Sequence, residues 1–309
     1  MYDLIGDIHG HADELMDLLE RLGYEQTEGC YGHPDRQVIF VGDFIDRGPK
    51  IREVLHLVRA MIDNETALAV MGNHEFNAIA FRTNNPREPG TFLRRHEEKN
   101  VHQHSETLKQ LNDRELAEFV DWFRTLPPWL ELDGLRVVHA CWDRQSIEVC
   151  RDAASRFGSF TDAFMHQACY RSTELFEAVE DVLKGKEVPL PNGVTMRDKD
   201  GFSRTNIRVQ WYRSPHGETY RNFALPSRPE IPDVPIPETF YEKIDPYPQS
   251  DIPVFCGHYW LSENTPSLLA DNVCCLDYSV AKGGFLCAYR WDGERQLSND
   301  RFVRVGPLN

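Results

Sequence analysis

The chain has 309 residues, of which 41% are hydrophobic and 27% charged, and its formal net charge is −15. That length accommodates one large α/β domain with insertions, or two domains, and the composition suits a globular protein with a sizeable core. The acidity argues against a basic stripe for duplex nucleic acid, so any affinity for phosphate must come from local arginines and metal ions.

The first 80 residues repeat one pattern three times: apolar strand, Gly-containing polar loop, amphipathic helix. A strand at Tyr2–Ile5 leads into Gly6-Asp7-Ile8-His9-Gly10. The helix that follows carries Leu15, Leu18, Leu19 and Leu22 on one stripe. A second strand, Val38–Val41, leads into Gly42-Asp43-Phe44-Ile45-Asp46-Arg47-Gly48. Its helix opens near Pro49, a residue favoured in the first helical turn, and presents Ile51, Val54, Leu55, Val58 and Ile62 to the core. A third strand, Ala67–Met71, leads into Gly72-Asn73-His74-Glu75. Strands alternating with helices predict a largely parallel sheet, and ligands collect beyond the carboxyl ends of such strands. The three motifs are therefore expected in one crevice.

Residues 82–128 predict a helical insertion over that crevice. Asn84–Gly90 reads as a loop, and two polar helical stretches follow, the second with Leu116, Phe119, Val120 and Phe123. Asp133-Gly134 joins strands at Trp129–Leu132 and Leu135–His139 as a hairpin. Residues 150–250 begin helical and pass into a proline-rich tract, Pro226 to Pro248, expected to be irregular. Strands return at Val254–Cys256, Val273–Leu276 and Phe285–Trp291. A single domain over 1–309, with insertions at about 82–128 and 150–250, is expected.

Five segments carry the chemistry: the three loops above, Val138-His139-Ala140 and Gly257-His258. Together they offer Asp, His, Asp, Asn, His and His, a mixed oxygen and nitrogen donor set that suits two divalent transition ions. Two such ions clamp the attacking and leaving oxygens of a phosphoryl transfer. The eight cysteines include no CxxC pair, so no zinc ribbon is indicated. Cys141 and Cys256 adjoin proposed ligands and read as small core fillers. The chain opens on a strand without a charged-then-apolar leader, and no apolar run approaches a membrane span. A cytoplasmic protein with reduced thiols is expected.

In this order and spacing the segments resemble the calcineurin-type metallophosphoesterases. Within them the chain is most similar to the phosphoprotein phosphatase branch and to the bacterial symmetrical diadenosine tetraphosphatases. The resemblance implies an α/β fold in which a two-sheet β-sandwich core is flanked by helices in four layers. It implies that Asp7 and His9 bind the first ion, that Asp43 bridges both, and that Asn73, His139 and His258 complete the second. It further implies that His74 protonates the leaving oxygen, that Asp46 holds the His74 imidazole, and that Arg47, with Asn73, grips the phosphoryl group. A water bridging the ions would attack phosphorus. Manganese is the first choice of metal, with iron or zinc next. Ala140 fits the tetraphosphatases, whereas Cys141, Phe76 and Asn77 depart from the family pattern. The stretch Leu276–Leu286 resembles the C-terminal Asp-Thr…Gly-Gly…Leu stretch of the tetraphosphatases.

A second phosphate-gripping arginine is expected among Arg197, Arg204, Arg208 and Arg213, with Arg208 preferred. Trp211 and Tyr212 read as core rather than as a base-stacking pair. His102 and His104 form an HxH pair that reads as exposed helix or loop, with a third metal site as the alternative. The expected substrate is a small phosphorylated molecule, a nucleotide or dinucleoside polyphosphate. A Ser/Thr phosphoprotein phosphatase is the alternative, and a catalytically inactive binding scaffold is the alternative of another class. Neither a membrane nor nucleic acid is expected as a partner.

Overall fold

The computed structural model describes residues 1–197 and 201–306. One sheet has the order Asp277–Tyr278, Phe285–Trp291, Tyr2–Ile5, Gln37–Phe40, Ala67–Ala69, and Phe302–Val305 also pairs with Phe285–Trp291. Its three N-terminal strands run parallel, with Leu4 opposite Ile39 and Val38 opposite Ala67. A second sheet has the order Val273–Cys275, Val254–Cys256, Leu135–Val138, Trp129–Leu132. Its first three strands are parallel, and the last closes the hairpin at Gly134.

The two sheets share one apolar core. Phe255 of the second sheet packs on Tyr289 of the first with ring centroids 5.3 Å apart. The chain passes from one sheet to the other at Leu276. Strands covered on both faces read as near-continuous apolar runs, and Leu4, Ile5, Val38, Ile39 and Phe40 are fully buried.

Helices α1 (Ala12–Arg21) and α2 (Ile51–Asp63) pack on the first sheet through the predicted stripes. Ile62 is only half-buried, and Met61 turns inward in its place. Helices α3 (Asn73–Arg82), α4 (Glu98–Gln110) and α5 (Asp113–Phe123) follow the third motif. Helices α6 (Arg144–Phe157), α7 (Asp162–Ala168) and α8 (Glu174–Lys184) pack on one another beyond the hairpin. The proline-rich tract is largely irregular, as its composition predicts. Its Ile231, Ile236 and Ile244 join Val209, Tyr220 and Phe223 from the residues before it in a small second core.

The first strand is tied down by a buried carboxylate. Asp3 is fully buried and accepts from Arg36 Nε at 2.8 Å, Arg290 Nε at 3.0 Å and the Tyr24 hydroxyl at 3.1 Å. Asp3→Asn leaves two guanidinium groups short of their counter-ion. Removing one partner of a buried pair costs about 3–5 kcal/mol. The expected result is a large fall in the urea midpoint with an unchanged slope; a midpoint within experimental error of wild type would contradict it.

Candidate metal centre

All five motifs follow the carboxyl ends of parallel strands, three from one sheet and two from the other. Asp7, His9, Asp43, Asn73, His139 and His258 are all buried. Two sets of donors converge, each with its ligand atoms within 4.8 Å of one another: His9, Asp43 and His74, and Asp43, His139 and His258. Asp43 belongs to both. Its Oδ2 lies 3.4 Å from His139 Nε2, 3.6 Å from His9 Nε2 and 3.9 Å from His74 Nε2.

The backbone is bent to achieve this. His9, Asp43, Asp46, Arg47 and His258 all adopt positive φ, between 45° and 72°. Such conformations are uncommon for non-glycine residues and cluster at functional sites. Glycines supply the remaining room. A methyl group on Gly257 would overlap Asp7 Oδ1, and one on Gly72 would overlap Asp43 Oδ1.

Histidine tautomers are fixed from behind. His9 Nδ1 lies 2.8 Å from the Ile45 carbonyl and His139 Nδ1 lies 2.7 Å from the Val41 carbonyl. A carbonyl only accepts, so each Nδ1 carries the proton and each Nε2 presents a lone pair. His139 Nε2 then faces two acceptors, Asn73 Oδ1 at 3.1 Å and Asp43 Oδ2 at 3.4 Å. His9 Nε2 and both ring nitrogens of His258 are buried without a hydrogen-bond partner. Lone pairs converging in this way call for a cation.

The electrostatics separate the donors into two groups. Burial, with Asp277 and Asp43 beside it, pushes the Asp7 carboxyl up. Burial opposes ionisation of Asp43, but His139, His74 and His9 outweigh it and hold the carboxyl low. Burial, followed by the charges of His74 and Arg47, pushes His9 down to about 3. Burial and the charge of Arg208 push His258 down as well. His139 moves the other way: Asp43 beside it outweighs burial and pushes that imidazole up. Neutral His9 and His258 are ready for metal ligation, whereas Asp7 and His139 would give up a proton to a bound cation.

Asp7 is joined to the centre differently from the other carboxylate. It accepts from the His258 backbone N–H at 3.0 Å, and among the described residues it belongs to neither convergent set. His74 stands where its second nitrogen is already engaged: its Nδ1–H donates to Asp46 Oδ2 at 2.5 Å.

The calcineurin-like phosphoesterase profile matches residues 2–258. The chain belongs to that family. It is 54% identical over 74 residues to the bis(5'-nucleosyl)-tetraphosphatase PrpE [asymmetrical] of Halalkalibacterium halodurans, a match covering 24% of this chain and 30% of that protein. It is 31% identical over 140 residues to the protein of the same name from Oceanobacillus iheyensis, covering 45% of this chain and 54% of that one. The chain thus spans about half, or less, of the length of the relatives it matches. The crystal structure of a cold-active protein-tyrosine phosphatase from a psychrophilic Shewanella superposes with a TM-score of 0.50 at 17% identity, over 93% of this chain and 74% of that one. That similarity shows the fold.

Within this phosphoesterase, several residues around the motifs are less apparent from sequence. Asp46 is held by three donors. Besides His74, His104 Nδ1–H donates to Oδ1 at 2.7 Å and the Thr107 hydroxyl donates to the same oxygen at 2.5 Å. Burial opposes its ionisation, but His104 and His74 outweigh burial and keep it a carboxylate. The exposed reading of the HxH pair therefore holds for His102 and fails for His104, which is buried on Asp46. Glu75 accepts from the backbone N–H groups of Asp43, Phe44 and Gly72 at 2.8–3.0 Å, so it fixes the second loop at its most bent point.

Arg47 is half-buried, with its guanidinium 4.1 Å from the centre of the Trp260 ring. Arg208 donates from Nε to the Lys184 carbonyl at 2.9 Å, and its charge reaches His258. Arg204 lines a cavity with Arg47 instead. Arg213 pairs with Glu218, and Arg197 is exposed. Trp211 and Tyr212 are core residues, as read from the sequence. Cys141 and Cys256 are buried and free.

Proposed function

We propose that the protein hydrolyses phosphoester or phosphoanhydride bonds at a two-metal centre formed by Asp7, His9, Asp43, Asn73, His139 and His258, with a nucleotide or dinucleoside polyphosphate as substrate. The observation that carries this is the convergence on Asp43 of imidazoles from both sheets, with His9 Nε2 and both His258 ring nitrogens buried and without a hydrogen-bond partner. When bound, divalent ions supply Lewis acidity and an activated water, an effect worth several kcal/mol. The chain's own residues do the rest. Asp43 balances the positive charge. Arg47 and Asn73 orient the phosphoryl oxygens, and Arg208 stands near His258 to assist. His74 Nε2–H donates to the departing oxygen while Asp46 compensates the imidazolium charge.

The names of the relatives support a dinucleoside tetraphosphate as substrate. Those names carry the asymmetrical designation, which corresponds to ATP and AMP from diadenosine tetraphosphate rather than two ADP. Chromatography of the products decides between the two cleavages. Manganese is the first choice of metal, followed by iron or zinc, because imidazole, carboxylate and amide donors suit all three. Chelation followed by add-back of each ion orders them. Among the described residues no helix is long and apolar enough to cross a membrane. The eight free cysteines favour a reducing compartment, and we place the protein in the cytoplasm.

The test is hydrolysis of p-nitrophenyl phosphate with added manganese by wild type, His74→Ala and Asp43→Ala. Equal rates in all three would mean a contaminant or an inactive scaffold. A panel of diadenosine tetraphosphate, mononucleotides and a phosphothreonine peptide separates the nucleotide reading from the protein phosphatase alternative. Arg47→Ala is expected to lower turnover about 10²-fold, the scale for removing one oxyanion donor, at unchanged metal content. Loss of metal with normal turnover per bound ion would refute the role given to Arg47.

A further inference from the structure

Trp260 stands on strained backbone. Its φ is 55°, a left-handed conformation that is a true outlier for so bulky a side chain. Burial does not repay it, because the residue is only half-buried. The loop after Val254–Cys256 is instead held in this shape by a run of hydrogen bonds. The His258 N–H donates to Asp7 at 3.0 Å and the Tyr259 hydroxyl to the Ala140 carbonyl at 3.2 Å. The Trp260 N–H donates to Asp277 Oδ2 at 2.7 Å and the Leu261 N–H to the Asp277 carbonyl at 2.9 Å. Asp277 Oδ1 accepts in turn from the Ser279 N–H at 2.9 Å. Four successive residues are thus anchored, and strain of this kind persists only where the surroundings over-determine it.

What the anchored loop delivers is an indole face at the rim of the metal centre. The Arg47 guanidinium carbon lies 4.1 Å from the centre of that ring, and the His9 ring lies 6.1 Å from it. Arg47 arrives from the first sheet, on backbone that is itself left-handed with φ 72°. Trp260 arrives from the second sheet. Stacking uses the face of a guanidinium and not the N–H groups along its edge, so one arginine can lie on a ring and still present a planar fork to phosphoryl oxygens. A side chain already held in place loses less freedom when the reacting group arrives. From this we infer that Trp260 is a positioning residue for Arg47, setting the plane and direction of its guanidinium across the seam between the two sheets. The inference rests on the phosphoesterase reading above and on the role given there to Arg47. It adds a residue that ligates no metal and acts only through that arginine.

The experiment is a double-mutant cycle on p-nitrophenyl phosphate at saturating manganese: wild type, Trp260→Ala, Arg47→Ala and the double variant, each with its metal content measured. Trp260→Ala is expected to lower kcat/KM about threefold to thirtyfold, the range for a cation–π contact, at unchanged metal content. In the Arg47→Ala background the same substitution is expected to change kcat/KM by less than about twofold, because the group it acts on is gone. Trp260→Phe keeps a ring face and is expected to recover part of the loss; Trp260→Leu fills space without one and is not. Equal losses in the two backgrounds, a Trp260→Ala enzyme with wild-type kcat/KM, or Trp260→Leu as active as Trp260→Phe overturns the inference. Should Trp260→Ala fail to fold by circular dichroism, the Phe and Leu variants, made in both backgrounds, decide. If wild type hydrolyses nothing, the phosphoesterase reading fails first, and if Arg47→Ala keeps wild-type turnover, the role of Arg47 fails; both results are distinguishable from a failure at Trp260.

Discussion

Asp43→Asn is expected to lower hydrolysis by at least about three orders of magnitude, since the lost metal effect is worth several kcal/mol and each 1.36 kcal/mol is tenfold in rate. It is also expected to remove the bound metal. The substitution keeps the shape and takes away one negative charge. Asp43 Oδ2 is the atom that approaches His9, His74 and His139 within 3.9 Å. An amide there either turns an N–H toward lone pairs meant for a cation or offers a much weaker oxygen donor. Without metal, the imidazoles of His139, His74 and His9 hold the Asp43 carboxyl low, so the carboxylate contributes stability at neutral pH and metal-free Asp43→Asn is expected to be less stable than the metal-free wild type. What should vanish is the rise in melting temperature on adding manganese, because a ligand stabilises only a protein that binds it. Elemental analysis and thermal melts with and without metal check both halves. A variant with wild-type metal stoichiometry and rate would remove Asp43 from the bridging position.

The parts of this site legible in sequence are those that local chemistry writes. Asp7, His9, Asp43, Asp46, Arg47, Asn73 and His74 each sit beside a glycine or in a loop that ends an apolar run. The strand–loop–helix repeat carries them to one edge. His139 and His258 follow strands of the second sheet, and their loops carry less signal, yet they reach the same centre. His104 was hidden because its partner is 58 positions away in the chain and its helix is polar. One signal was available: His104, Thr107, Leu108 and Leu111 fall at i, i+3, i+4 and i+7, which marks an inward stripe. His104 and Thr107 on that stripe are buried and meet Asp46. The arginines between the last two histidines were legible as candidates only. Short antiparallel pairings of Glu187–Pro189 with Asn206–Arg208, and of Met196–Arg197 with Ser203–Arg204, set where Arg208 and Arg204 stand. Two- and three-residue ladders have too little periodicity to be read from sequence. The edge strand Phe302–Val305 was likewise missed, because it is only partly buried and lies beyond the last motif.

His74→Ala is expected to lower kcat about 10²–10⁴-fold, the usual worth of positioned acid catalysis. Metal content should stay at the wild-type level. The second clause carries the assignment, because His74 Nε2 also lies within the donor set around Asp43 and geometry alone would admit it as a ligand in place of Asp7. The bond from His74 Nδ1 to Asp46 favours the acid role: it orients the ring and stabilises its protonated form. Asp7→Asn should therefore reduce metal content, and His74→Ala should not. The leaving group gives an independent readout. An acid matters most when the departing oxygen is basic, so the His74→Ala defect should shrink on p-nitrophenyl phosphate relative to an alkyl phosphate. His104→Ala tests the support behind the dyad. With one of its three donors gone, Asp46 is free to rotate away from His74. A loss in kcat of about tenfold or more, at unchanged KM and metal content, is expected, with partial recovery in His104→Gln, whose side-chain amide can still donate to Asp46 Oδ1. A His104→Ala enzyme that matches wild type across the pH profile would reduce that contact to packing.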